Sequence, residues 1–286
     1  MNDLPPDRAL MIIGAMKSGT STLYKALSQH SKICACRVKE PEFFSTNHAN
    51  INGVDAARYA DLFDFDSGDY SYYMEGSTGY TKFPYELGLP DRIHEYGLKP
   101  RFIYIVRNPL DRIVSEYNFA HLNNRPWAYP DILNAPSIFR SMYHMQLREF
   151  MRAYPDRSRY FIADFDDLAD SPGRLTNNIL SWLGLDPIEF GMPTIVNKTP
   201  TPSRIEHMLL NQGVQDLYNK LPLAQPMFSA LKRVLRRVDR SAKRELTGDE
   251  RDRAMRWLRL DMNRFSSDFD FPIEKWGFHG SPTSGE

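Results

Sequence analysis

The 286-residue sequence has only two cysteines, Cys34 and Cys36. Two cysteines are too few for a disulfide framework, and a lone Cys-x-Cys pair does not make a zinc site. The seven histidines lack the spacing of metal ligands, so no metal is expected. Basic and acidic side chains number 36 each, and this balance argues against a general nucleic-acid or membrane-surface binder. The function must therefore depend on a local site.

Long hydrophobic runs are also missing. The apolar stretch 9–13 is too short to span a bilayer or to form a signal-peptide core, and acidic residues and prolines precede it. We therefore expect a cytoplasmic protein without a membrane partner. Because 42% of the residues are hydrophobic and no repeat interrupts them, the chain can bury a sizeable core. We expect one domain over residues 1–286 with flexible ends at 1–8 and 280–286.

The sequence does contain a glycine-bearing turn between a strand pattern and a helix pattern. Gly14 and Gly19 bracket this turn and Lys17 lies within it. Glycines let a backbone approach a ligand closely, and the N–H groups at a helix N-terminus attract anions. The turn is therefore a candidate anion site, although a simple helix N-cap would use similar residues. Its expected ligand-binding residues are Lys17, Ser18, Gly19, Thr20, Ser21 and Thr22.

The two glycines have the spacing of the Walker A loop, G-x-x-x-x-G-K-[ST], but the lysine is displaced. Lys17 precedes the second glycine, and Thr20 occupies the position where a nucleoside triphosphatase has its lysine. A P-loop nucleotide kinase that uses ATP and magnesium is therefore a weakened alternative.

A second strand-to-helix unit follows in the middle of the chain. Residues 102–106 form an aromatic and β-branched run, and Pro109 suits the first turn of a helix. Arg107 lies at the carboxyl end of this strand, and Ser115 lies about two turns into the helix. Because the carboxyl ends of parallel strands meet at one edge of a sheet, Arg107 can share a ligand with the first turn. An ion pair with Asp111 is the alternative for Arg107.

Strand-like and helix-like patterns continue to alternate along the chain. The run 159–163 is a further strand, and 137–153 and 249–265 are helical. This alternation is typical of an α/β fold with a parallel sheet.

Two glutamates flank a proline early in the chain. Glu40 and Glu42 surround Pro41 and precede an aromatic pair. Burial against the rings would raise a carboxyl pKa and make the group a usable base. The alternative is a solvated loop whose acids lie beside Lys39, and the residues by themselves favour it.

Taken in order, these stretches resemble the sulfotransferases that use 3′-phosphoadenosine 5′-phosphosulfate (PAPS), in particular the branch with the heparan sulfate 3-O-sulfotransferases and bacterial relatives. The turn around Lys17 looks like the 5′-phosphosulfate loop of that family, and residues 106–115 look like its 3′-phosphate motif. The segment 39–44 is similar to the one that supplies the catalytic glutamate, and 197–199 also fits. The resemblance implies a three-layer α/β/α fold with a central parallel sheet and a P-loop-like phosphosulfate-binding loop.

The resemblance also implies roles for individual residues. PAPS would be the donor and adenosine 3′,5′-bisphosphate (PAP) the product, with no metal. Lys17 would stabilise the charge on the leaving oxygen, and Glu40 would remove the proton of the acceptor. Arg107 and Ser115 would bind the 3′-phosphate. Further donor contacts are expected from Lys198, Lys243 and Arg244.

Two departures from the glycan-acting relatives bear on the acceptor. Glu42 stands where those relatives often have histidine, and Gly76 stands where they have a lysine that meets an anionic sugar. We therefore expect a small-molecule acceptor with a hydroxyl or an amine, as in natural product modification. The predicted pocket consists of Glu42, Phe44, Tyr80, Tyr85, Tyr117, His121 and Trp127.

Three alternatives stay open from the sequence: a glycan sulfotransferase, the nucleotide kinase, and a non-catalytic nucleotide-binding protein. The presence of both Lys17 and Glu40 disfavours the last. The oligomeric state is also open, and a homodimer is one option.

Overall fold

The computed structural model describes residues 4–46, 58–123, 125–189 and 243–279. Within these residues a five-stranded parallel sheet has the order β2-β3-β1-β4-β5. The strands are β1 (Ala9–Gly14), β2 (Ile33–Ala35), β3 (Tyr72–Gly76), β4 (Arg101–Val106) and β5 (Tyr160–Asp164). The predicted parallel α/β sheet is thus confirmed.

Eight α-helices accompany the sheet in the described part of the chain. They are α1 (Thr20–Leu27), α2 (Leu89–Glu95), α3 (Pro109–Leu122), α4 (Ala135–Ser141), α5 (Tyr143–Ala153), α6 (Phe165–Asp170), α7 (Pro172–Trp182) and α8 (Gly248–Phe269).

The central strand β1 is buried along its whole length. Such a continuous apolar run is typical of a parallel strand covered on both faces. Successive side chains point to opposite faces of the sheet. Met11 accordingly belongs to one core, which also contains Phe265 of α8, and Ile12 belongs to a second core with Leu23 of α1 and Ile179 of α7. These two cores give the predicted three-layer arrangement.

The chain changes face between β1 and β4, which are neighbours in the sheet. Helix α1 follows β1 and packs in the second core, whereas Leu110 and Ile113 of α3, which follows β4, pack in the first. Neighbouring parallel strands whose connections leave in opposite directions open a crevice at their carboxyl ends. The predicted anion loop and Arg107 lie at the ends of these two strands.

Candidate active site

The loop between β1 and α1 is held by its own backbone. The N–H of Ala15 donates to the carbonyl oxygen of Ile105 at 2.8 Å, which ties the loop to β4, and the N–H of Ser18 donates to Ala15 at 3.2 Å. Gly19 precedes α1 in the left-handed conformation, with φ of 89°. A Cβ there would lie 2.9 Å from Leu168, so both conformation and space favour glycine.

Four of the hydroxyl residues predicted to bind the donor lie in this loop or in the first turn of α1. Ser18 and Thr20 are buried, and Ser21 and Thr22 are half-buried. Helix α1 begins at Thr20, so its N-terminal N–H groups lie at the carboxyl edge of the sheet. A helix N-terminus in this position is suited to bind an anion.

Lys17 lies in this loop with φ of 68°, a conformation that residues with a Cβ rarely adopt. Its Nζ is 3.8 Å from the centre of the Phe119 ring on α3. Burial and then the nearby charge of Arg107 lower the pKa of Lys17 from 10.5 to about 8, although Glu116 and Glu40 act in the opposite direction. Lys17 is therefore a partly buried cation that shares its cleft with a second one.

Arg107 directly follows β4 and reaches the same loop. Its Nη1 donates to the carbonyl oxygen of Lys17 at 3.5 Å, and its guanidinium lies 4.7 Å from the centre of the Phe165 ring. The hydroxyl of Tyr143 donates to the backbone oxygen of Arg107 at 2.7 Å. The structure thus brings together Lys17 and Arg107, which are 90 positions apart in the chain.

Ser115 is half-buried on α3, one turn before Phe119. Residues four apart lie on the same face of a helix, and Phe119 contacts Lys17 on that face. Ser115 therefore lies on the side of α3 that faces the loop.

The basic residues Lys243 and Arg244 belong to a segment that lies beside α3. The N–H of Arg244 donates to the side chain of Asn118, and Asn118 donates back to the backbone oxygen of Arg244, each at 3.0 Å. The guanidinium of Arg244 pairs with Glu250 at 2.6 Å, and Lys243 is exposed. The backbone of this segment is thus fixed beside α3. Lys198 and the segment 197–199 lie outside the described residues.

Glu40 lies at the carboxyl end of β3. Its N–H donates to the oxygen of Gly76 at 3.0 Å. Its Oε1 accepts from Nζ of Lys39 at 2.7 Å and from the hydroxyl of Thr78 at 3.3 Å. The expected pairing with Lys39 is therefore present. The side chain of Glu40 is 37% exposed. The carboxylate also raises the pKa of Lys17, as the last of several causes.

The sulfotransferase domain family matches residues 7–208, which is more than half of the chain. The chain belongs to the sulfotransferase family. The predicted family membership is thereby confirmed, whereas the narrower branch of heparan sulfate 3-O-sulfotransferases stays a prediction.

Comparison with solved structures gives sulfotransferases of low sequence identity, of which the first shares the fold. The crystal structure of a sulfotransferase from Alicyclobacillus acidocaldarius matches with a TM-score of 0.66 at 17% identity, over 96% of this chain and 100% of the other. Sulfotransferase STF9 from Mycobacterium avium matches with a TM-score of 0.47 at 12% identity, over 94% and 79%. Mouse sulfotransferase SULT7A1, complexed with PAP, matches with a TM-score of 0.42 at 16% identity, over 68% and 63%. The first match confirms the predicted α/β fold.

Two further properties of this sulfotransferase concern metals and membranes. In the part of the chain that the structure describes, no group of three or more His, Cys, Asp or Glu side chains is placed to hold a metal ion. The same residues include no helix with the length and apolar character needed to cross a bilayer.

Glu42, predicted to line the acceptor pocket, lies in the interior of this sulfotransferase. It is 4% exposed. Its Oε1 accepts from the N–H of Gly79 at 2.7 Å, and its Oε2 accepts from the hydroxyl of Ser45 at 2.8 Å. Burial raises the pKa of Glu42, although Lys82 and these two hydrogen bonds partly offset it. Burial therefore raises a carboxyl pKa at the second glutamate, where the residues by themselves favoured a solvated loop.

Phe44 and Tyr80 are also buried, within an aromatic cluster around Tyr59. The ring centres of Phe44 and Tyr59 are 5.0 Å apart, and those of Phe44 and Tyr80 are 6.2 Å apart. Both predicted pocket residues therefore pack in the core beneath the glutamate segment.

The other predicted pocket residues lie nearer the surface. The ring centres of Tyr117 and His121 are 3.9 Å apart near the end of α3. The ring centres of Trp127 and Phe119 are 6.2 Å apart. All four side chains are half-buried. Tyr85 is exposed and lies beside Phe139 of α4.

One buried carboxylate of the site was not anticipated. Glu75 in β3 is fully buried, and its oxygens accept from the hydroxyls of Tyr59 and Tyr80 at 2.9 Å and of Ser77 at 2.7 Å. Burial raises its pKa to about 7, against the effect of these hydrogen bonds. An acidic residue in a buried strand needs hydrogen-bond donors around its carboxylate. A glutamate within a strand was therefore the signal that the sequence offered.

A buried ion-pair network between α3 and α4 was missed as well. Arg112 is 0% exposed, and its Nη1 lies 2.7 Å from Oε2 of Glu116. Its other nitrogens donate to Ser141 at 2.7 Å and to the oxygen of Ser137 at 2.6 Å, and Arg140 pairs with the other oxygen of Glu116. Burial opposes ionisation of Glu116, but the two arginines hold its pKa below the ordinary value. The spacing of Arg112 and Glu116, four apart on a helix, was the sequence signal.

Proposed function

We propose that this sulfotransferase moves the sulfuryl group of PAPS to a hydroxyl or amine of a small molecule and releases PAP. The observation that carries the proposal is the convergence of Lys17 and Arg107 at the carboxyl ends of neighbouring strands. Burial is the largest cause of the lowered pKa of Lys17, and the charge of Arg107 is the next. A polyanionic ligand between them would relieve this repulsion.

The donor is assigned to this cleft by the chemistry of its two ends. The N–H groups that begin α1, together with Lys17, suit the 5′-phosphosulfate. Arg107 and Ser115 suit the 3′-phosphate, which distinguishes PAPS from a donor without that group. Lys243 and Arg244, beside α3, are proposed as further contacts, and Lys198 is proposed from the family resemblance.

Glu40 and Lys17 together support a transfer in one displacement. The carboxylate of Glu40 takes the acceptor proton as the acceptor oxygen or nitrogen bonds to sulfur. Lys17 stabilises the negative charge that grows on the bridging oxygen as the bond between sulfur and that oxygen breaks. The electron pair leaves with the bisphosphate, so charge and atoms balance without a redox step.

Two features favour a small acceptor over a glycan. Tyr117, His121 and Trp127 provide half-buried aromatic surface beside Phe119, and Phe119 contacts Lys17. Gly76, where the glycan-acting relatives have lysine, is buried, and a Cβ there would already lie 3.2 Å from Tyr24. The proposed pocket is therefore aromatic. The cytoplasmic location, a single domain and a homodimer stay predictions.

The test is a transfer assay with PAPS and a panel of phenols, alcohols and amines, with PAP release as the readout. Lys17→Ala should lower turnover by about 10²- to 10³-fold, because it removes a group that stabilises charge in the transition state. Lys25→Ala is the matched control, since Lys25 is an exposed lysine of α1. Equal turnover of Lys17→Ala and Lys25→Ala would refute the assigned role.

Binding measurements separate the alternatives. The proposal expects tighter binding of PAP than of ATP with magnesium, whereas the reverse order would support the kinase. PAP binding without transfer to any acceptor of the panel would support the non-catalytic protein. Transfer to a polysaccharide alone would support the glycan sulfotransferase.

A further inference from the structure

The segment from Glu40 to Glu42 lies across the turn that follows β3. The N–H of Glu40 donates to the oxygen of Gly76 at 3.0 Å, and the N–H of Glu42 donates to the hydroxyl of Ser77 at 3.1 Å. Both glutamates have positive φ, 60° and 52°. Residues with a Cβ adopt this conformation at a cost in free energy, so the surrounding contacts must hold the segment in place.

The side chain of Glu42 supplies the deepest of these contacts. Its carboxylate is buried and bonds to the N–H of Gly79 at 2.7 Å and to the hydroxyl of Ser45 at 2.8 Å. A Cβ on Gly79 would lie 1.8 Å from Oε2 of Glu42, so only glycine leaves room for the carboxylate. Glu42 and Gly79 therefore form a sterically matched pair.

The residue next to Gly79 contacts the proposed base. The hydroxyl of Thr78 donates to Oε1 of Glu40 at 3.3 Å. By binding the N–H of Gly79, Glu42 holds the backbone from which the Thr78 side chain projects. The two glutamates of the segment are thus coupled through one turn, although only Glu40 is partly exposed.

We propose that Glu42 is a positioning residue that, through Gly79 and Thr78, orients the carboxylate of Glu40 towards the acceptor. This inference rests on the proposed function. The positioning role also accounts for a glutamate at position 42, where the glycan-acting relatives often have histidine. A neutral histidine has one acceptor nitrogen, whereas a carboxylate accepts from Gly79 and Ser45 at the same time.

The experiment combines steady-state transfer kinetics with PAP binding for a set of variants. Glu42→Ala should lower kcat by about 10- to 100-fold, in the range of a misoriented base, and leave the Kd for PAP within about twofold. Glu42→Gln should keep most of the wild-type kcat, because its amide oxygen can accept from the N–H of Gly79. Thr78→Val, which removes one hydroxyl and keeps the volume, should lower kcat by about threefold or more at an unchanged Kd for PAP.

A double-mutant cycle tests the steric match. Gly79→Ala should lower kcat strongly in the wild-type background, because the new methyl group displaces the Glu42 carboxylate. The same substitution should cost less than about twofold in Glu42→Ala, where the carboxylate is gone. Equal effects in the two backgrounds would overturn the inference.

Asp261→Ala is the matched control for lost stability. Asp261 is a buried carboxylate that accepts from the N–H groups of His144 and Met145, outside the proposed site. Its kcat should stay within about twofold of the wild type at a temperature where both are folded. An unchanged kcat in Thr78→Val, or a loss in Glu42→Ala no larger than in Asp261→Ala, would overturn the role of Glu42. A wild type without transfer would instead refute the proposed function.

Discussion

The ammonium of Lys17 lies 3.8 Å from the centre of the Phe119 ring. An aromatic face attracts a cation, but it does not replace the hydration that burial removes. Lys17 consequently has a pKa of about 8, with burial as the largest cause and Arg107 as the next. The charge of the lysine therefore titrates close to neutral pH, and this property gives the first two predictions.

Binding of PAP should take up a proton above pH 8. A bound polyanion favours charged Lys17, so its pKa rises on binding, and affinity should fall as pH increases through 8. At pH 8.5 about three quarters of the lysine is neutral before binding, given a pKa of about 8. Phosphate groups are already ionised there. Calorimetry in buffers of different ionisation enthalpy measures the uptake, and Lys17→Met should abolish it.

Removal of the Phe119 ring should move this pH dependence upward. Phe119→Ala admits water to the ammonium, and because burial is the largest cause of the lowered pKa, that pKa rises towards 10.5. We expect the midpoint of PAP affinity against pH to increase by about one unit. Phe119→Tyr keeps the ring and should keep the midpoint. Identical profiles in the two variants would contradict a role for the ring.

Arg107 should determine the preference for a 3′-phosphate. Arg107→Met should weaken PAP binding by about 10- to 100-fold, the size of a charged hydrogen-bond contact. Binding of adenosine 5′-phosphate, which lacks the 3′-phosphate, should change by less than about threefold. Arg101→Met is the control, because Arg101 begins the same strand and therefore lies at the opposite edge of the sheet. Equal losses for both nucleotides in Arg107→Met would place Arg107 elsewhere on the ligand.

Arg112→Ala should destabilise the protein by about 3 to 5 kcal/mol, because it leaves Glu116 buried with one partner fewer. Urea unfolding of the wild type and the variant measures this difference. Arg174→Ala is the matched control, since Arg174 forms an exposed pair with Asp167. Exposed pairs contribute about 0 to 1 kcal/mol. A cost for Arg112→Ala within that range would show that water reaches the network.

Glu75 should make the protein less stable as pH rises. Its pKa is about 7 in the folded protein and 4.5 in the reference state, so the folded protein binds the proton more tightly between these values. The free energy of unfolding should therefore fall by about 3 kcal/mol as pH increases through this window. Glu75→Gln removes this titration and should make the profile less steep between pH 5 and 8, while Asp261, whose pKa burial raises to about 6, keeps its own contribution. Asp69→Asn, at an exposed site, should leave the slope unchanged.

Three strands, β1, β4 and β5, and the anion loop of this sulfotransferase were predictable because their signals are local. The apolar run of β1 and the displaced Lys17 between Gly14 and Gly19 can be recognised within about a dozen residues. The position of Arg107 also followed, since the carboxyl ends of parallel strands share an edge. Family membership followed from the order of these stretches and is confirmed by the match over residues 7–208.

The partners of the glutamates were not predictable in the same way. Glu40 and Glu42 are two positions apart and have similar neighbours in the sequence, yet one is partly exposed and the other buried. Their difference depends on the turn at Thr78 and Gly79, which is more than 30 positions away. The burial of Phe44 and Tyr80 likewise results from packing with Tyr59.

The sequence by itself determined the parallel α/β sheet, the glycine-flanked loop and the sulfotransferase family. Periodicity and glycine spacing are visible within short stretches of chain, so these features can be predicted without knowing which distant residues meet. Only the tertiary structure decided that Lys17 rests on Phe119, that Arg112 is buried with Glu116, and that Glu42 supports the turn beside Glu40. Burial and hydrogen bonding depend on which distant segments meet, and they set the charge and orientation of these groups.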